Sequence, residues 1–320
     1  MLKLNKKQFL YNDDGESDDS CFNDLENSAV VILPFPFGGC VSFMGGAEKA
    51  PDAIIEASAN LESYEPTFEF EPYKMGICTM EAPQIPSDPR QMHECIFEHS
   101  RELIKNHQFP VVLGGDHSIS SGFCRALIEK HGEIGVIQLD AHADLRDSYK
   151  GNRFSHASVM ARIREMTPHT LQIGIRSLCK EEAERIKREN LTVIFRKEMI
   201  RNPAFVSAQL RFPLNALPKK VFVTLDVDIL DPSMITHTGT PEPDGLMYDE
   251  LVSILNCIFA SKEVIGFDVV ELCVHESDWS STFTVAKLIH LMLAMKTASV
   301  KNQGRIKGWP TEPIGPILLL

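Results

Sequence analysis

Two carboxylates and one imidazole alternate with small alanines in Asp140-Ala-His142-Ala-Asp144, directly after the apolar run 134–139. Side chains of an extended chain alternate between two faces, so these three would point the same way, each about 6.6 Å from the next. Three such groups at the end of a strand can bind a metal ion. The stretch by itself fits equally well an acidic strand exit, in which aspartates form turns and cap a helix.

Histidine and carboxylate side chains also follow three further apolar runs, 111–113, 221–225 and 264–269. In an open parallel sheet the ligand site lies beyond the carboxyl ends of the strands. The residues that follow each strand therefore determine the chemistry of the site. Two imidazoles, four aspartates and one glutamate are expected together at this edge: His117, Asp140, His142, Asp144, Asp226, Asp228 and Glu271.

Each of these groups alone has a structural explanation. His117 fits the terminus of a helix, Asp226 and Asp228 fit a turn, and Asp116 fits a helix cap. Taken together, however, four clustered carboxylates would repel one another unless cations neutralise them. The sequence therefore predicts a metal site.

The charge of the cluster indicates two ions, because four aspartates carry −4 and two divalent cations carry +4. A pair of divalent ions that share carboxylates activates water for hydrolysis near neutral pH. Oxygen and nitrogen ligands without thiolate favour Mn²⁺ over a zinc thiolate site. Ni²⁺, Co²⁺, Fe²⁺ and Zn²⁺ remain compatible with these ligands.

The elements that must position the cluster follow from the alternation of short apolar runs with amphipathic segments. This pattern is typical of an α/β fold, in which helices cover both faces of a parallel sheet. In the helix after Ser118 we expect Ser118 as the N-cap and Gly132 as the C-cap. The predicted strands are 29–33, 111–113, 134–139, 170–175, 192–195, 221–225 and 264–269, and the predicted helices are 91–107, 119–131, 155–166, 180–190, 247–260 and 281–297.

No linker composition interrupts residues 29–300, so a single catalytic domain is expected over residues 28–302. Residues 1–27 contain a polar, acidic stretch and are expected to form a flexible leader. Residues 303–320 are rich in proline and glycine and end in an apolar segment. We assign no role to this tail.

Composition limits the partners. The formal charge of −12 argues against nucleic acid and acidic membranes and is compatible with a cationic small substrate. No apolar run reaches 18 residues and no signal peptide is evident, so a soluble cytoplasmic protein is expected. The eight cysteines are scattered without a CxxC pair, and Cys124 and Cys257 are expected to be buried, reduced thiols.

Five motifs stand in a characteristic order and spacing along the chain. They are Gly-Gly-Asp-His-Ser at 114–118, Asp-Ala-His-Ala-Asp at 140–144, Ser-His-Ala-Ser at 155–158, Asp-Val-Asp-Ile-Leu-Asp-Pro at 226–232 and Thr-Gly-Thr-Pro-Glu-Pro at 238–243. Together they resemble the ureohydrolases, a family that comprises arginase, agmatinase and formimidoylglutamase. The resemblance covers about residues 29–300. It implies a single-domain, three-layer α/β/α sandwich with an eight-stranded parallel sheet, and a site that holds two Mn²⁺ ions.

The resemblance also implies individual roles. It places Asp140 and Asp226 between the two ions as bridging ligands. His117 and Asp144 complete the ligand set of the first ion, and His142 and Asp228 complete that of the second.

Two further residues carry chemistry. The resemblance makes His156 the proton-shuttling histidine, and an imidazole with a pKa near neutrality can protonate a leaving amine. It makes Glu271 the carboxylate that binds the guanidinium group through paired hydrogen bonds. Family members commonly form trimers or hexamers, so a homo-oligomer is implied.

The loop after Asp144 resembles the agmatinase branch, which includes enzymes acting on aminopropylagmatine, and favours agmatine as substrate. Arginine, guanidinobutyrate and formimidoylglutamate stay open as substrates. Arg146 could recognise a substrate carboxylate, or pair with Asp147 or another loop carboxylate as structure, and we favour the structural role. His237 and Asp244 stand where the family usually has glycine. A catalytically silent relative is the alternative class, but no ligand position is lost.

Overall fold

The computed structural model describes residues 3–11, 25–26, 28–40, 42–104, 108–200 and 209–301. Eight parallel strands form one sheet in the order β2-β1-β3-β8-β7-β4-β5-β6. Most strand residues are buried on both faces, as expected for a parallel sheet between two helical layers. The strands are β1 Val30–Phe35, β2 Ile77–Thr79, β3 Phe109–Gly114, β4 Gly135–Leu139, β5 Thr170–Ile175, β6 Thr192–Phe195, β7 Lys220–Asp226 and β8 Glu263–Val270.

Nine α-helices in the described part of the chain surround this sheet. One apolar cluster includes residues of α1, α8 and α9, and a second includes residues of α2, α3 and α4. The prediction of an α/β fold with an eight-stranded parallel sheet is therefore confirmed. The helices are α1 Ala50–Ser58, α2 Pro89–Leu103, α3 Ser120–His131, α4 Val159–Met166, α5 Lys180–Glu189, α6 Arg196–Ile200, α7 Arg211–Ala216, α8 Tyr248–Ser261 and α9 Trp279–Lys301.

The start of α3 differs from the sequence prediction. A short 3₁₀ turn, His117–Ile119, precedes the helix, and the side chain of Asp116 accepts a 3.0 Å hydrogen bond from the backbone N–H of Ser118. Asp116 rather than Ser118 is therefore the capping residue, because the chain turns two residues earlier than expected. Gly132 ends the helix as predicted, with φ 74°.

The predicted flexible leader is wrong for residues 3–11. Leu4 forms an antiparallel bridge with Met80, Phe9 is fully buried, and the N–H of Phe9 donates a 2.9 Å hydrogen bond to Oγ1 of Thr79. This stretch lies against the edge strand β2. The acidic stretch at 12–20 and the tail at 303–320 lie outside the described residues.

Two further expectations concern cysteines and membrane spans. All seven cysteines in the described part of the chain are free; Cys124 is buried as predicted, whereas Cys257 is only partly so. Among the described helices, none combines the length and the apolar character that a bilayer crossing requires.

Candidate metal centre

The candidate centre lies at the carboxyl ends of four adjacent strands, β3, β8, β7 and β4. The loop after β3 approaches the rest of the chain closely. A Cβ on Gly115 would lie 1.8 Å from the carbonyl oxygen of Phe37, so only glycine fits there. This close approach brings His117 directly over the sheet edge.

Nδ1 of His117 faces three carboxylates at once. It lies 3.1 Å from Oδ2 of Asp140, 3.2 Å from Oδ2 of Asp144 and 3.3 Å from Oδ2 of Asp226. The nitrogen is buried and makes no directed hydrogen bond. An unbonded, buried imidazole nitrogen at the focus of three carboxylates has the chemistry of a metal ligand set.

A second ligand group adjoins the first. Nδ1 of His142 lies 2.8 Å from Oδ2 of Asp228 and 3.7 Å from Oδ1 of Asp140. The two three-ligand groups capable of holding an ion among the described residues are His117–Asp140–Asp226 and Asp140–His142–Asp228. Asp140 belongs to both and presents a different oxygen to each histidine. The arrangement therefore fits two ions that share a carboxylate.

Backbone and side-chain donors form hydrogen bonds with the ligand carboxylates. Oδ1 of Asp228 accepts a 2.9 Å hydrogen bond from the N–H of Ala141, and Oδ1 of Asp226 accepts one of 2.9 Å from the N–H of Asp228. Nε2 of Gln138 donates a 2.6 Å hydrogen bond to Oδ2 of Asp140. These bonds hold the ligands in place before a cation binds.

The electrostatics of the cluster are unbalanced without cations. Burial and the neighbouring Asp228 and Asp140 raise the pKa of Asp226 well above its usual value. Burial and Asp140 raise the pKa of Asp144 to about 7. Burial alone would lower the pKa of His142, but Asp228 and Asp140 raise it to about 12. Divalent cations would relieve this repulsion, so the residues present fit a metal centre.

Glu271 lies beside the two ligand groups, directly after β8. It adopts φ 67°, an uncommon conformation for a non-glycine residue. Its Oε1 accepts a 2.7 Å hydrogen bond from the N–H of His117. Burial and Asp116 raise the pKa of Glu271 to about 8. A bound cation would favour the charged form.

His156 also lines the cavity beside these ligand groups, in the 3₁₀ turn His156–Ser158. Its ring meets the Tyr149 ring edge-on, with 5.6 Å between the ring centroids. Burial, with added repulsion from His117, lowers the pKa of His156 to about 4. The expectation of a pKa near neutrality is therefore wrong, because the sequence does not reveal this burial.

The cavity has a volume of about 330 Å³. Six carboxylates line it, and among its described lining residues Arg146 is the only lysine or arginine. This excess of negative charge suits a cationic ligand. The six carboxylates are those of Asp144, Glu182, Asp226, Asp228, Glu242 and Glu271.

Arg146 does not make the ion pair that its structural interpretation requires. Asp147 instead pairs with Arg162 at 3.0 Å and with Arg153 at 3.5 Å. No carboxylate of the described residues lies within 4.0 Å of the Arg146 guanidinium, which packs over the Tyr149 ring at 5.4 Å. The Arg146 guanidinium therefore lines the cavity without a carboxylate partner among the described residues.

Three residues around the centre escaped the sequence reasoning. Nε2 of His117 lies 2.9 Å from Oγ1 of Thr224, and Nε2 of His142 lies 3.8 Å from Oε1 of Glu242. Gln138 and Thr224 are polar residues inside otherwise apolar strands. That interruption was a readable signal, and Glu242 lies within the Thr-Gly-Thr-Pro-Glu-Pro motif at 238–243, to whose glutamate the sequence reasoning gave no role.

The two departures from the family pattern have separate explanations. His237 lies outside this cavity: its ring stacks on His275 at 4.7 Å, and its Nδ1 lies 2.9 Å from Oδ2 of Asp278. Asp244 adopts φ 63°, a conformation that favours glycine.

Comparison with known proteins agrees with this geometry. The model of the arginase family matches residues 28–294. The chain belongs to the arginase family. Members of this family are hydrolases that act on amidino C–N bonds, and they are binuclear metal enzymes.

Relatives within the arginase family include two kinds of ureohydrolase. The chain is 33% identical over 296 residues to an N(1)-aminopropylagmatine ureohydrolase of Synechocystis sp., covering 90% of this chain and 93% of that one. It is 32% identical over 274 residues to an agmatinase of Pyrococcus horikoshii, covering 85% and 93%. The agmatine ureohydrolase structure of Thermoplasma volcanium superposes with a TM-score of 0.82 at 26% identity, covering 93% and 97%.

Proposed function

We propose that this arginase-family hydrolase uses two Mn²⁺ ions to hydrolyse agmatine to putrescine and urea. The observation that carries the proposal is the pair of three-ligand groups that share Asp140, with Glu271 beside them. The names of the relatives support a substrate of the agmatine type. The negative lining of the cavity supports a cationic one.

The ligands proposed for the first ion are His117, Asp140, Asp144 and Asp226. Those for the second are Asp140, His142, Asp226 and Asp228. Asp140 is the better supported bridge, because its two oxygens face different histidines. The oxygen and nitrogen donors favour Mn²⁺ over a zinc thiolate site. Bound divalent ions supply an activated water at neutral pH and stabilise negative charge during the reaction.

Glu271 orients the substrate. Its free oxygen can accept hydrogen bonds from a planar guanidinium group, which carries donors in a fixed fork. The bond from the N–H of His117 occupies Oε1 and so fixes the direction of Oε2. The guanidino carbon is thereby held next to the ligand cluster.

His156 moves the proton. With its pKa lowered to about 4, the ring is neutral at physiological pH. Its Nδ1 has no hydrogen-bond partner among the described residues. This nitrogen can accept a proton released during attack and pass it to the departing amine, which leaves as putrescine.

Glu242 is proposed to receive the cationic end of agmatine. Glu182, a neighbouring carboxylate, is already occupied: its two oxygens accept hydrogen bonds from the N–H groups of Leu145 and Cys179 at 2.8 and 2.7 Å. Glu242 is partly exposed and its oxygens accept no such bond from the residues that the structure describes, so it can pair with an ammonium group.

A second candidate substrate is a guanidino carboxylate such as guanidinobutyrate. Arg146 favours it, because an unpaired guanidinium on a cavity wall can bind a carboxylate. Arginine, formimidoylglutamate and aminopropylagmatine are further substrates to compare. A catalytically silent relative would release no product from any of them.

Urea release from the Mn²⁺-loaded protein tests the proposal. Agmatine, aminopropylagmatine, arginine and guanidinobutyrate are compared by urea formation, and formimidoylglutamate by formamide formation. We expect the highest kcat/KM for agmatine. The absence of turnover with all five would contradict the enzymatic proposal. A cytoplasmic location and a trimeric or hexameric assembly stay predictions, and light scattering of the full chain measures the latter.

A further inference from the structure

Arg176 directly follows strand β5, and its guanidinium group bonds to backbone carbonyls. Nη2 donates hydrogen bonds of 2.6 Å to the carbonyl oxygen of Asp228 and 2.9 Å to that of Glu242. Nε donates a 3.0 Å hydrogen bond to the carbonyl oxygen of Pro243. The five fixed donors of a guanidinium suit such a set of acceptors, because they can serve several carbonyls at once.

The backbone around Glu242 depends on this outside support. Glu242 lies between Pro241 and Pro243, and a proline has no N–H to donate. Carbonyl groups that leave water need a hydrogen-bond donor from elsewhere. Arg176 supplies it to both Glu242 and Pro243. The place of the Glu242 backbone therefore depends on a side chain from a distant part of the chain.

The same guanidinium joins this segment to the proposed metal centre. Asp228, whose carbonyl oxygen accepts from Nη2, presents its Oδ2 2.8 Å from Nδ1 of His142. Nε2 of His142 lies 3.8 Å from Oε1 of Glu242. The backbone N–H of Arg176 donates a 2.8 Å hydrogen bond to the carbonyl oxygen of Ala141. These contacts close a ring, so the distance between the Glu242 carboxylate and the ligand cluster depends on Arg176.

Arg176 is not among the described residues that line the cavity, so its effect must pass through Asp228 or Glu242. Asp228 has other support. Its Oδ1 accepts a 2.9 Å hydrogen bond from the N–H of Ala141, and its own N–H donates one of 2.9 Å to Asp226. The Glu242 carboxylate accepts no hydrogen bond from the described residues, so it is the group that loss of Arg176 would displace.

We propose that Arg176 is a positioning residue for substrate specificity. By holding the backbone of Glu242, it keeps the Glu242 carboxylate at the distance from the metal centre that suits the ammonium end of a short cationic guanidine. The inference rests on the proposed function, in which Glu242 binds the cationic end of agmatine. Loss of Arg176 then weakens binding selectively for guanidines that carry a second positive charge.

Butylguanidine, which is agmatine without its amino group, is the probe for this selectivity. Putrescine release by the Mn²⁺-loaded full chain gives kcat and KM for agmatine, and competition gives the inhibition constant of butylguanidine. In Arg176→Gln we expect the ratio of this inhibition constant to the KM to fall about 10- to 100-fold, as expected for one lost hydrogen bond between charged groups. The KM for agmatine should rise while kcat stays within about threefold, because the lost interaction is one of substrate binding.

Two further variants and one control separate positioning from a general structural defect. Arg176→Lys keeps the charge but replaces the fork by a single nitrogen, so its ratio should lie between those of the wild type and Arg176→Gln. The double variant Arg176→Gln/Glu242→Gln should have the same ratio as Glu242→Gln, because both changes remove one interaction. Arg164→Gln should keep the wild-type ratio, since Arg164 is partly buried and donates to the carbonyl of Pro168 outside the cavity.

An unchanged ratio in Arg176→Gln, or a further fall when this change is added to Glu242→Gln, would overturn the inference. Loss of Mn²⁺ or of kcat with the ratio preserved would also overturn it, because Arg176 would then support Asp228 instead. If the thermal midpoint shows that Arg176→Gln does not fold, an unchanged ratio in Arg176→Lys is the contradicting result. Each of these outcomes leaves the proposed function intact when the wild type converts agmatine. A wild type that releases no putrescine from agmatine would contradict the proposed function itself.

Discussion

The backbone N–H of His117 donates a 2.7 Å hydrogen bond to Oε1 of Glu271, a residue 154 positions later in the chain. This contact joins the loop after β3 to the end of β8, which are neighbouring strands. One side chain therefore fixes the loop that carries a metal ligand and also offers a free oxygen to the cavity. Its two tasks can be separated by mutation.

Replacing Glu271 by glutamine should abolish most activity but preserve metal binding. The amide oxygen of Gln can still accept the bond from His117, whereas the charge that binds a guanidinium is lost. We expect kcat/KM for agmatine to fall about 10²- to 10³-fold, since a broken buried ion pair costs about 3 kcal/mol or more. Steady-state urea release and metal analysis check this. The control is Glu276→Gln, because Glu276 is exposed outside the cavity; a Glu271→Gln protein that has lost its metal would contradict the assignment.

Replacing Asp140 by asparagine should remove more than one ligand contact. Asp140 belongs to both three-ligand groups, so its loss weakens the binding of both ions. We expect elemental analysis after gel filtration to show at most one Mn²⁺ per chain, against two in the wild type. Asp249→Asn, on the exposed start of α8, is the matched control. Near-full occupancy in Asp140→Asn would mean that the ligand assignment is wrong.

His156→Asn should lower kcat by about 10²-fold without changing metal content, as expected for a lost proton carrier. Because burial holds the pKa of His156 at about 4, the wild-type imidazole stays neutral when the pH falls from 7.5 to 5.5. The ratio of wild-type to variant kcat should therefore be constant over this range. His169→Asn is the control, since His169 pairs with Glu133 at the opposite, amino-terminal edge of the sheet. A ratio that collapses near pH 6.5 would contradict the buried, neutral state of His156.

Arg146→Gln distinguishes the two candidate substrates. If agmatine is the substrate, loss of this unpaired cation should change kcat/KM for agmatine by less than about threefold. Any turnover of guanidinobutyrate should fall about 10- to 100-fold, because a hydrogen bond to a charged group is worth about 1.5–3 kcal/mol. The kcat/KM values of both proteins with both substrates give the answer. If the wild type prefers guanidinobutyrate and the Arg146→Gln variant no longer hydrolyses it, the substrate is a guanidino carboxylate and not agmatine.

The sheet and the ligand cluster were predictable from sequence because both leave local signals. Apolar runs of strand length end in aspartate or histidine, and parallel strands bring those ends to one edge. Strand β2, Ile77–Thr79, was missed because three residues are too short for a periodic pattern. Residues 3–11 were assigned to the leader because their packing on β2 depends on contacts distant in sequence.

Properties of the site that depend on tertiary packing could not be predicted from the sequence. The pKa of His156 follows from burial beside Tyr149 and Cys40, which lie in separate segments. The partner of Asp147 is Arg162 rather than its neighbour Arg146, because the loop folds back on α4.

A Mn²⁺ titration of activity tests the central claim most directly. Protein freed of metal by a chelator and then dialysed receives Mn²⁺ in steps, and urea release from saturating agmatine is measured after each addition. The shared ligand Asp140 and the two histidines predict no activity without metal and a rise that saturates at two ions per chain. Full activity in the presence of the chelator, saturation at one ion per chain, or no urea at any Mn²⁺ concentration would contradict a two-ion guanidine hydrolase.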